Sequence, residues 1–407
     1  MEEWKEYKLG EIAQIQTGPF GSQLHKSDYV DDGVPCIMPT NIGKNLDVIS
    51  DGIVHISEND AQRLSRHLVT AGDIIYARRG DIEKCAYIQE QQNGWFCGTG
   101  CLRIRINKDA DSHFIAYQLS TSEAKSWIVG NAVGTTMLNL NSSILSDLPV
   151  LLPSLFTQRH ITAILKSLDD KIEVNRQIND NLEQQAQALF RSWFVDFEPF
   201  KDGEFVESEL GLIPKMWRVG HLDEILTIRK ESYRKGDDIN LPYLPIDIIP
   251  MHSLGIIEFK DNNEAQSSLQ TFEKNDIIIG AMRVYFHRVV IAPCKGITRN
   301  TCFVLYPNSE DYWAYSVLQC NQKDTIDFAN RTSKGSTMPY AVWNNGLGNC
   351  NIIIPNSETM RQFNIIAKHL LIKIRDSYKE SRRLAELRDT LLPRLMSGEI
   401  DINKVCI

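Results

Sequence analysis

No stretch of the 407 residues approaches the eighteen consecutive apolar residues that a membrane helix needs, so no membrane span is expected. Cysteine occurs nine times but never as a CxxC pair, which fits free thiols in a reducing compartment better than a disulfide framework. Cys97 and Cys101 have a spacing that zinc accepts, yet no second ligand pair accompanies them, and no metal site is expected. A GxxxxGK[ST] phosphate loop, a GxGxxG run, an HExxH pair and a nucleophile elbow are also missing. These absences weigh against a nucleotide- or S-adenosylmethionine-binding enzyme while leaving open a triad assembled in space. No catalytic residue is nominated.

Excess positive charge is lacking too: the net charge is -8. Residues 1–157 carry 13 Lys+Arg against 19 Asp+Glu, residues 217–357 carry 14 against 15, and only residues 358–407, with 10 against 7, are basic. A polyanion would therefore have to be met by local clusters. The N-terminal MEEWKEYKLGE is acidic where a secretory leader would be basic and then apolar, and a cytoplasmic location is expected.

What is present is a long internal repeat. GTTMLNLNSSILSDLPVLLP (134–153) is answered by GSTMPYAVWNNGLGNCNIIIP (335–355). Further matches pair WKEYKLGEI with WRVGHLDEI, VPCIMP with LPYLPI, GDIIYARRG (72–80) with NDIIIGAMR (275–283), and GTGCLRIRIN with TRNTCFVLYPN. The offset drifts from 213 to about 202, so a shared scaffold carries different loops.

Each half closes with a breaker-poor segment of some 36 residues, far longer than the usual helix of about a dozen. Ile161, Ile164, Leu168, Ile172, Leu182 and Leu189 fall at three- and four-residue steps, and Phe363, Ile366, Leu370, Ile374, Leu384 and Leu391 repeat them 202 residues later. Asn175 and Asn179 interrupt the first stripe where Ser377 and Ser381 interrupt the second. Antiparallel pairing would set midpoint against midpoint and use these polar residues to fix register.

The expected layout is a domain (1–157), a central helix (158–196), an acidic connector (197–216), a second domain (217–357), a C-terminal helix (358–399) and a tail (400–407). The fold class is α+β, with two similar mixed α/β domains in pseudo-twofold repeat, separated by an antiparallel coiled-coil spacer. Such helices would hold the domains at most roughly 50 Å apart, against about 34 Å for one turn of B-DNA. The spacing suits two different half-sites on one duplex.

Three clusters offer DNA contacts. Arg78 and Arg79 follow one DII segment, and Arg283, Tyr285, His287 and Arg288 follow its counterpart; arginine can clamp phosphate or read guanine, and an aromatic ring can pack on sugar or base. In the repeated phrase, Thr135, Thr136, Ser336 and Thr337 offer hydroxyls and amides beside a turn-forming glycine, with Arg331 and Lys334 preceding the second copy. A purely structural turn explains that phrase almost as well. The third pair of loops, GPFGSQLHKSD (18–28) with Ser22, His25 and Lys26, and RKESYRKGDD (229–238) with Arg229 and Arg234, occupies equivalent places with almost no residues in common. Phe190, Trp193 and Phe194 in LFRSWF cannot all face one seam, and they are the expected contact with a partner protein.

The phrases GTTMLNLNSSILSDLPVLLPSLFTQRHI, LFRSWFVDFEPF, ELGLIPKMW and LAELRDTLLPRLMSGEI, in this order, make the chain resemble the specificity subunit of type I restriction-modification systems. Met216 departs from the glycine usual before Trp217. The resemblance implies two target recognition domains reading a split DNA sequence and helices that dock two modification (methyltransferase) subunits, with restriction subunits added. S-adenosylmethionine, ATP and Mg would serve those partners, and this chain would bind no cofactor. A module of a methyltransferase-only system and a protein-binding coiled-coil scaffold are the alternatives.

Overall fold

The repeated apolar runs become strands. The computed structural model describes residues 4–134, 138–234, 240–265, 268–400 and 402. Two compact units divide the chain, residues 1–170 with 386–407, and residues 171–385. Each repeat thus keeps part of both long helices, Leu155–Phe194 and Ser357–Met396.

In the first unit, Ala13–Thr17, Cys101–Ile106, Ile74–Ala77 and Cys85–Tyr87 form an antiparallel four-stranded sheet in that spatial order. The second unit builds the same sheet from Leu226–Ile228, Cys302–Pro307, Ile277–Gly280 and Val289–Ile291. The Ile74–Ala77 and Ile277–Gly280 strands are buried along their length, which is why both read as continuous apolar runs. A second sheet in each unit contains one parallel pair, Val34–Ile37 with Phe96–Cys97 and Tyr243–Leu244 with Gly296–Arg299. Its other members differ between the units, where the loops differ in sequence.

Two short helices cover the first sheet of each unit, Ser112–Leu119 and Ser122–Asn131, then Trp313–Cys320 and Lys323–Arg331. Asp111 and Thr121 start the first pair by accepting from the Phe114 and Ala124 amides, satisfying donors that a helix start leaves open.

The long helices run antiparallel in each unit. In the first, Ile161 and Leu165 share a core with Leu395 and Met396, and Asp169 meets Arg388 at 2.7 Å while accepting from the Tyr117 hydroxyl. In the second, Asn175 Nδ2 donates to Glu380 Oε2 at 2.8 Å and to Ser381 Oγ at 3.3 Å. Polar residues do meet across the seam. By that register buried Asn179 stands opposite buried Ser377, and the side chains of both lack a hydrogen-bond partner among the described residues.

Two expectations are corrected. Ile366 is 48% exposed, because the seam follows Phe363, Ala367, Leu371 and Ile374 and leaves position 366 on the outer face. Leu370 stays partly buried against the same core. Phe190 and Phe194 are not a partner surface: they are buried with Phe363, Tyr315 and Trp217, and half-buried Trp193 packs on Phe194, Phe200 and Phe363. The aromatics fill the second unit's own core, each worth about 1.5–3 kcal/mol of apolar burial.

Candidate nucleic-acid interface

In both units the central buried strand runs out into a turn that is hydrogen-bonded to the glycine phrase. In the first, the Leu140 N–H donates to Arg78 O at 2.9 Å, and Asn139 bridges both Arg79 and Val133. In the second, the Ala341 N–H donates to Ala281 O at 2.8 Å, Tyr340 bridges both Met282 and Lys334, and the Arg283 N–H donates to Pro339 O at 2.8 Å. The repeated phrase therefore has a structural task in each unit, closing the turn that follows the strand. Gly134 and Gly335 sit at φ of 119° and 87°, where a side chain is disfavoured, and a Cβ on Gly335 would stand 3.1 Å from Met338 O.

This ladder fixes which residues are equivalent. Arg78 corresponds to Ala281, Arg79 to Met282, Gly80 to Arg283, and Asn139 to Tyr340. The frame is common, and the side chains it presents are not.

Around the first turn, Arg78 is half-buried, donates Nε to Leu140 O at 3.1 Å and lies 5.6 Å from the ring centre of Phe20. Burial, with Arg79 beside it, lowers its pKa. Arg79 is exposed, as are Ser22, His25 and Lys26 on the 18–28 loop. Thr135 and Thr136 lie outside the described residues.

Around the second turn, Arg283, Tyr285, Arg331, Lys334, Ser336 and Thr337 are exposed, and so is Arg234 on its separate loop. Arg331 also lies over the Phe328 ring at 6.0 Å. Three members of the expected set are occupied internally. Arg229 pairs with buried Asp276 at 2.7 Å and caps the Tyr306 ring. Arg288 donates to Ile246 O and sits over Phe286. His287 Nε2 bonds Asn321 Oδ1 at 2.8 Å, and burial lowers its pKa. Arg288 and His287 are thus held within the turn, while Arg229 is tied to Asp276 at the opposite end of the Ile277–Gly280 strand.

Among the apolar neighbours of the cations, sequence reading named Tyr285 but missed Phe20, Met338 and Tyr340. Phe20 is 56% exposed, Met338 51%, Tyr285 48% and Tyr340 46%. An aromatic or methionine exposed to this degree next to arginine and lysine suits stacking on bases or packing on sugars. The signal lay in GPFGS and GSTMPY, whose apolar residues carry no strand or helix periodicity.

Among the described residues no group of three or more His, Cys, Asp and Glu could hold a metal. Cys97 and Cys101 are buried free thiols, with pKa values raised by that burial.

The family described as type I restriction modification DNA specificity domain matches residues 1–184. The type I restriction enzyme MjaIX specificity subunit of Methanocaldococcus jannaschii is 28% identical over 418 aligned residues, covering 99% of this chain and 95% of that one. Along nearly its whole length, then, the chain is similar to a type I restriction enzyme specificity subunit. A second such relative, the HindI specificity subunit of Haemophilus influenzae, is 24% identical, covering 98% of this chain and all of its own. The crystal structure of a type I S subunit from M. genitalium has the same fold, with a TM-score of 0.62 at 16% identity over 97% of this chain and 96% of that one. In this chain two mixed α/β domains are joined to parts of two long helices. Among the described residues no helix is long and apolar enough to cross a membrane.

Proposed function

We propose that this chain is the non-catalytic DNA-sequence specificity subunit of a type I restriction-modification complex. Each unit reads one part of a bipartite, asymmetric double-stranded target. The paired helices set the distance between the parts and dock two methyltransferase subunits, to which restriction subunits add. Adenine methylation from S-adenosylmethionine, and ATP- and Mg-dependent cleavage, belong to those partners. The complex works in the cytoplasm.

The observation that carries this reading is the turn built twice on one backbone ladder and furnished with different exposed side chains. A common scaffold with unlike contact residues is what two unlike half-sites require. Phosphate contacts by exposed cations position such a module, while base-edge contacts give it sequence preference.

The test is single-molecule methylation mapping of DNA from a host expressing this chain with its neighbouring methyltransferase gene, compared with the methyltransferase alone. A bipartite adenine-methylated motif that requires the chain is the expected result. Folded, associated proteins that leave no chain-dependent motif would instead support a protein-binding scaffold.

A further inference from the structure

The two turns share a backbone conformation that only one of them adopts at no cost. Gly80 has φ of 79°, and its structural counterpart Arg283 has φ of 48°. Glycine populates this left-handed region freely, whereas in a residue with a Cβ that atom crowds the following carbonyl oxygen there. His287, at the other end of the same one-turn 3-10 segment Val284–Phe286, is left-handed too, at φ of 50°.

The surroundings hold this strained turn firmly. The Arg283 amide donates to Pro339 O, and the Phe286 and His287 amides donate back to Arg283 O and Val284 O. His287 is further fixed through Asn321, and Val284 is buried. Rigidly held strain of this kind concentrates where a protein presents a side chain for a task.

The presented side chain is cationic and has no ion-pair partner among the described residues. Tyr285 stands exposed beside it, and Met338 and Tyr340 flank the carbonyl that its amide meets. An arginine fixed at its root beside aromatic surface is suited to the bidentate contact that reads a guanine edge. A phosphate contact could be made equally well from an unstrained position or by lysine.

Resting on the proposal that the chain reads DNA, we infer that Arg283 is a base-reading residue of the second domain, contacting guanine, with Tyr285 packed beside the same base pair. The first domain, with Gly80 at that position, makes no equivalent contact. The two half-sites are therefore read by different numbers of turn residues.

The experiment is the same methylation mapping, run with full-length Arg283→Gly and Arg283→Lys. Arg283→Gly installs the residue the first domain carries, so its melting temperature should equal or exceed that of the parent, which controls for folding. The expected result is a motif relaxed at one base pair of one half only, with the other half unchanged, for both substitutions. A motif unaltered by Arg283→Gly would overturn the inference while leaving the DNA-reading proposal intact. So would relaxation by Arg283→Gly with full retention in Arg283→Lys, since that is the behaviour of a phosphate contact. A parent chain that confers no motif would remove the underlying proposal and the inference with it.

Discussion

Arg229 reaches buried Asp276 at 2.7 Å from the strand neighbouring the one by which, in the first domain, Arg105 reaches buried Asp73 at 2.6 Å. The aspartates are equivalent, each opening the central buried strand, but the arginines are not. Gln16 stands where Arg229 would be, and Tyr306 stands where Arg105 would be, under the Arg229 guanidinium. Both domains keep the carboxylate and neutralise it from different sides, because leaving it unpaired in the core is costly. Arg229→Gln should destabilise the second domain by about 3–5 kcal/mol. Adding Tyr306→Arg, which copies the first domain's arrangement, should recover part of that loss. A denaturation double-mutant cycle with no favourable coupling would show that the two arrangements are not interchangeable.

The helix seam contains an avoidable cost. Asn175 is buried but bonded to Glu380 and Ser381, whereas Asn179, equally buried, has neither amide atom satisfied among the described residues. A buried unsatisfied amide costs about 1–3 kcal/mol. Asn179→Leu should therefore raise the urea midpoint by the equivalent of about 1 kcal/mol or more, and Asn175→Leu should lower it. Equal effects of the two substitutions would mean that the register hydrogen bonds contribute nothing.

A pH dependence follows from Glu183. Its Oε1 accepts from the Leu254 amide at 3.1 Å and the Ser253 hydroxyl at 3.3 Å, and Ser253 also meets the Tyr378 hydroxyl. Burial, the largest influence, pushes its pKa from 4.5 to about 7; the two hydrogen bonds act against this and nearby Asp180 adds to it. The folded state thus holds this proton more tightly than the unfolded chain does. Stability contributed by this group is full below pH about 4.5, declines as pH rises to about 7, and is level above. Glu183→Gln keeps an acceptor for Leu254 and removes the titration. Its melting temperature should match the parent near pH 4.5 and exceed it at pH 8; a difference independent of pH would rule the assignment out.

Periodicity and repetition made the large features legible. The apolar steps from Ile161 to Leu189 needed no tertiary knowledge to be read as a helix, and the 202-residue echo identified its partner. What sequence could not show was how segments distant in the chain share space. Phe190 and Phe194 looked surplus to a seam because their companions Trp217, Tyr315 and Phe363 come from three separate elements. Arg229 looked like a free loop cation because its partner enters from another strand. Arg283 was visible as a cation, but its left-handed backbone angle is displayed only by the structure.

Helix length gives the sharpest test of the spacer proposal. Deleting seven residues from each long helix at positions 202 apart removes about 10 Å of rise, the length of about 3 bp of B-DNA. A heptad is about 20° short of two full helical turns, so the domains keep nearly the same facing on the helix pair. Three base pairs, by contrast, turn the duplex by about 100°. The mapped motif should therefore lose about three of its unspecified central base pairs, with both half-sites unchanged. Methylation occupancy should also fall, because the DNA must untwist or bend to present the second half-site. Restoring the heptads should restore both quantities. An unchanged spacer from a folded, methylation-competent variant would show that the distance is set elsewhere than in these helices.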